Sequence, residues 1–69
     1  MPVIGSYYKC TMSFIADNGL IIARKQKLVQ IGERYKVIAA NDKEICLESY
    51  NGKLMMSLVF FLEHFQLDL

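Results

Sequence analysis

Between Leu28 and Leu47 the chain alternates apolar and polar residues in two short runs, separated by Asn41-Asp42-Lys43. Successive side chains of an extended backbone point to opposite faces. Tyr35, Val37 and Ala39 therefore share one face, and Arg34, Lys36 and Ile38 the other. After the polar break Ile45 and Leu47 repeat the apolar face, with Glu44 and Glu48 opposite. The pattern predicts a two-stranded antiparallel hairpin with one face buried.

The same alternation runs from Ser6 to Phe14, which predicts one strand with Tyr8, Cys10, Met12 and Phe14 on its apolar face. Asp17-Asn18-Gly19 ends it as a turn, since Asn and Gly tolerate positive φ. Leu20 to Ile31 reads as strand, irregular polar segment and strand again. A helix over 22–30 is the rival, weakened by β-branched Ile21, Ile22 and Val29. Gly32 marks the turn into the Tyr35 strand. Tyr50-Asn51-Gly52-Lys53 predicts a tight type I′ connection, with the next strand starting at Lys53 or Leu54 and running to Ser57. At Val59 to Phe65 the alternation collapses, and Phe60, Phe61, Leu62 and Phe65 fit one turn of helix. Gln66 to Leu69 alternates again and suits pairing with the first strand. Short strands, tight turns and no long helix predict an all-β domain over 1–69, a small five-stranded barrel or half-open sandwich with one short helical turn near the C-terminus.

Composition adds a surplus of apolar residues. Of 69 residues, 54% are hydrophobic, while a domain of this size buries only about 60% of the surface its unfolded chain exposes. An exposed apolar patch is expected, covered by another protein or by a second copy of the chain. The net charge of +1 and a pI near 7.8 give nucleic acid no support, because binding modules for it carry a strongly basic face. No apolar run reaches the length of a membrane span, and the first residues lack the pattern of a secretory signal. The expectation is a cytoplasmic protein without membrane contact.

Candidate chemistry is sparse. Cys10, Cys46 and His64 are too few and too scattered for a structural zinc site. They read as two free thiols, one or both buried, and a histidine capping the helical turn. No phosphate loop, paired carboxylates or nucleophile–base spacing stands out, so neither catalysis, cofactor nor metal is expected. Phe60 and Phe61, with Tyr7 and Tyr50, are the candidate protein-binding residues, because interface hot spots favour aromatic side chains. The alternative is a small nucleic-acid-binding barrel: Arg24, Lys25 and Lys27 form the densest basic run, and tyrosines beside it would stack on bases. A structural or assembly subunit packing through the apolar patch is the third reading.

The segment Leu28-Val29-Gln30-Ile31-Gly32-Glu33-Arg34-Tyr35-Lys36-Val37-Ile38 resembles the diverging turn of Src-homology-3-type barrels. There, a hydrophobic residue precedes a Gly-acidic-basic turn and an alternating strand. The order strand, long loop, glycine turn, three-stranded meander, helical turn and last strand is also similar to that SH3-like fold. Leu20 to Lys27 matches its long loop, Asn41 to Lys43 the next loop, Asn51-Gly52 the distal hairpin, and Phe60 to His64 the helical turn. Peptide-binding members use a groove with a tryptophan at its edge, whereas this chain has no Trp and a single Pro at position 2. As a whole the chain looks like very short barrel proteins encoded by phages and prophages. That resemblance implies a non-enzymatic modulator or inhibitor of a host protein.

Overall fold

The computed structural model describes residues 2–17, 26–50 and 52–68, with backbone alone at Asp17, Gln26 and Lys27. Among the described residues, seven strands and one helix follow in the order β1 (Tyr7–Cys10), β2 (Phe14–Asp17), β3 (Gln26–Val29), β4 (Arg34–Ala40), β5 (Glu44–Ser49), β6 (Gly52–Ser57), α1 (Leu58–His64) and β7 (Phe65–Leu67). Five of the strands make one antiparallel sheet in the order β6-β5-β4-β1-β7, and β2 pairs with β3 in a second, two-stranded sheet.

The predicted hairpin is β4–β5. Asn41 closes its loop by accepting the Lys43 and Glu44 amides on Oδ1 at 2.8 and 2.7 Å, which satisfies two backbone donors. Tyr35, Val37, Ile45 and Leu47 are buried as expected. Ala39 is not. The register shifts between Val37 and Ala39, and such a bulge moves the following residues to opposite faces. Ala39 turns outward, and Ala40 packs against the core instead.

The segment from Ser6 to Phe14 is two strands, not one. Thr11 to Ser13 bend the chain, and the Thr11 amide donates to the His64 carbonyl at 2.7 Å. Met12, expected to face inward, sits in the bend and is exposed. At the other end of the β2–β3 excursion the chain turns at Gln30–Glu33. The Glu33 amide donates to the Gln30 carbonyl at 3.2 Å, and Gly32 has φ of +95°. This is the arrangement of a type II turn, whose third position needs positive φ. Two more bonds tie the turn to β1: Cys10 N–H to the Glu33 carbonyl and Gly32 N–H to the Cys10 carbonyl, both 2.8 Å.

Gly52 opens β6 with φ of +124° and pairs with Ser49. Asn51 lies outside the described residues, and the type I′ assignment with it. Leu20 to Ala23, Asn18 and Gly19 also lie outside them. The predicted helical turn is a seven-residue helix, capped by Ser57 Oγ accepting from the Phe60 amide at 3.1 Å. The tail pairs with the first strand, Cys10 facing Phe65 and Tyr8 facing Leu67. That pairing does not close a barrel by hydrogen bonds: among the described residues β6 and β7 remain the two edges of the sheet. The helix that joins these edges packs against β5, β6 and β7 and drives Phe61 into the core. There Phe61 stacks on Phe65 at 5.2 Å and meets the Tyr8 ring edge-on at 4.8 Å. No charged or polar side chain is buried among the described residues.

Candidate functional site

Cross-strand register decides which outward side chains become neighbours. Tyr7 on β1 faces Lys36 on β4, which in turn faces Glu48 on β5. Arg34, two residues before Lys36, lies on the same face. Its guanidinium carbon stands 5.0 Å from the Tyr7 ring centroid, within reach of a cation–π attraction. Its Nε also forms an ion pair with Asp68, and the Asp68 amide donates to the Tyr7 carbonyl at 3.0 Å. Arg34 is thus oriented from two sides while its side chain stays 60% exposed.

Tyr50 follows β5 in the β5–β6 loop and is 97% exposed. Tyr7, Arg34, Lys36, Glu48, Ser49 and Tyr50 line one groove of about 410 Å³. An adjoining hollow of about 350 Å³ is walled by Gly32, Glu33, Arg34, Ser49 and Tyr50. Two of the expected aromatic contact residues therefore share one surface. The sequence did not single out Arg34 as a site residue; the strand register sets it opposite Lys9 and diagonal to Tyr7, within reach of the ring. The groove offers two ring faces, an oriented guanidinium and charges of both signs, which suits a polypeptide surface better than a uniform polyanion.

A second groove, of about 270 Å³, is apolar. It lies between β2 and β6 and is lined by Phe14, Ile15, Ala16, the Leu54–Ser57 segment and Phe60. Phe60 is half-buried there, edge-on to Phe14 at 4.9 Å and stacked on His64 at 3.9 Å. His64 Nδ1 lies 2.9 Å from the Phe60 carbonyl, so the histidine serves the end of the helix. Phe61 has no exposed surface. The expectation that it anchors a partner is corrected: α1 turns Phe61 inward, onto the rings of Tyr8 in β1 and Phe65 in β7.

Arg24 and Lys25 lie outside the described residues, and of Lys27 only the backbone is described, paired with Ala16. Cys10 and Cys46 are free thiols, the first buried and the second half-buried. Burial pushes the Cys10 pKa up. The two thiols and His64 do not assemble into a site, and among the described residues no three His, Cys, Asp or Glu side chains gather to hold a metal ion. No helix among them is long and apolar enough to cross a membrane. Compared with family models, curated proteins and solved structures, the chain finds no match.

Proposed function

We propose that this chain is a non-enzymatic protein-binding module of SH3-like fold, and that its partner seats on the groove of Tyr7, Arg34 and Tyr50. The observation that carries the reading is the convergence of Tyr7 and Tyr50, remote in sequence, on one groove with a guanidinium oriented between strands. Tyrosine and arginine are enriched among residues that dominate binding energy, and pre-orientation lowers the entropy lost on contact. The strand order β6-β5-β4-β1-β7, with the β2–β3 excursion between β1 and β4, supports the SH3-like reading. A phage-encoded modulator of a host protein is the biological role that this resemblance favours. Without a groove tryptophan, the partner is a folded surface or a mixed-charge segment, not a proline-rich peptide.

The test is a comparative capture from lysate of the source cells with wild-type, Tyr50→Ala and Arg34→Ala chains. A protein retained by the wild type and lost with both variants supports the reading. Capture indifferent to both variants refutes it, as does a captured species that is nucleic acid released by moderate salt.

A further inference from the structure

The β6 edge carries an inference that goes beyond the Tyr7–Tyr50 groove. Edge strands of soluble proteins are guarded by shortness, proline, bulges or charge, because their unpaired backbone groups otherwise recruit another strand. The other edge, β7, is three residues long and is followed by Asp68, paired with Arg34. β6 is six residues long, GKLMMS, with no proline and one charge. Its register with β5 runs unbroken from Glu44–Ser57 to Ser49–Gly52. Met55 on its outward face is 69% exposed, and the apolar groove of Phe14, Ile15, Ala16 and Phe60 runs along its open side.

We infer that β6 pairs antiparallel with β6 of a second copy of this chain, forming a two-fold homodimer with a continuous sheet. The strand is self-complementary in one register. With Met55 on the two-fold axis, Leu54 faces the partner's Met56 and Lys53 faces the partner's Ser57. This register keeps both inward faces, Leu54 and Met56, on one side of the sheet, since directly opposed residues share a face. The half-buried Met56 of each copy then enters the neighbour's apolar groove. Charge selects the same pairing. Ser57 is opposite Glu44 and Lys53 is opposite Glu48 within one chain. The dimer therefore builds an outward row of Glu48, Lys53, the partner's Ser57 and the partner's Glu44. Each lysine lies between two carboxylates, one of them across a small serine at a strand spacing of about 4.8 Å per step. No like charges stand opposite one another.

Sedimentation equilibrium of the full chain over a wide concentration range tests this. The mass is expected to rise from one chain to two. Met55→Lys sets two ammonium groups against each other on the axis and weakens association by roughly tenfold or more. Because Met55 is exposed in the single chain, the variant keeps its fold, checked by circular dichroism. Glu44→Lys weakens association too. A one-chain mass at every concentration overturns the inference and leaves the edge to a strand from another protein. A dimer indifferent to Met55→Lys also overturns it. Neither result bears on the Tyr7–Tyr50 groove.

Discussion

Phe60 and Phe61 are adjacent in sequence and opposite in fate: Phe61 is fully buried against Tyr8 and Phe65, while Phe60 lies half-buried between Phe14 and His64. The helix separates them, because consecutive helical residues point about 100° apart. Phe61→Ala leaves a cavity in the centre of the core and should cost about 3–5 kcal/mol. That is comparable with the whole stability of a domain this size, about 0.05–0.15 kcal/mol per residue. Phe60→Ala loses mainly its ring pairs, about 1 kcal/mol. Urea unfolding of both variants checks the order; equal losses would contradict the placement of the two rings.

Gly32 should resist replacement although nothing stands within 4 Å of a Cβ built there. Its φ of +95° lies where a side chain strains against its own backbone. Gly32→Ala is expected to cost about 1–2 kcal/mol, measured as a drop in the urea midpoint with unchanged slope. A neutral result would mean that the Gln30–Glu33 turn adopts another form.

Ser57 caps the helix through Oγ. Ser57→Ala leaves the Phe60 amide without that acceptor and should lower stability by about 1 kcal/mol, with Ser57→Asp retaining most of it. Thermal melts of the three proteins rank them: wild type, Asp, then Ala.

Cys10 makes alkaline stability a further readout. Burial raises its folded-state pKa, so the folded chain holds the neutral thiol and the unfolded chain ionises first. Its contribution is complete below the ordinary thiol value, about 8.5, and is lost as pH rises from there through the raised folded value. Unfolding free energy should fall as pH rises above about 8.5, and the fall should be smaller in Cys10→Ala. An identical pH dependence in the variant would remove Cys10 as its source.

Much of the fold is legible because it is written in local period. Tyr35, Val37, Ile45 and Leu47 alternate with charged or half-buried residues, and a strand with one wet face permits no other placement. The loss of alternation after Ser57 likewise marks the helix, although Phe65, read as part of that turn, opens β7 instead. What alternation cannot carry is where it breaks. Met12 continues the inward pattern of Tyr8 and Cys10 yet lies outside, because the Thr11 amide binds the His64 carbonyl and bends the chain. Ala39 continues the pattern of Tyr35 and Val37 yet lies outside, because an extra residue of its own strand, Ile38, shifts the register just before it.

The candidate site follows the same division. Amino-acid type alone marked Tyr7 and Tyr50 as contact residues and predicted an excess of apolar side chains, seen in exposed Ile15, Met55, Val59 and Leu62. Only tertiary structure chose between Phe60 and Phe61, set Arg34 over Tyr7, and left β6 as an edge strand among the described residues. Side-chain chemistry and local alternation belong to single residues and their neighbours, so the chain states them directly. Register, edge and groove belong to pairs of segments distant in sequence, and hydrogen-bond pairing across the sheet settles them.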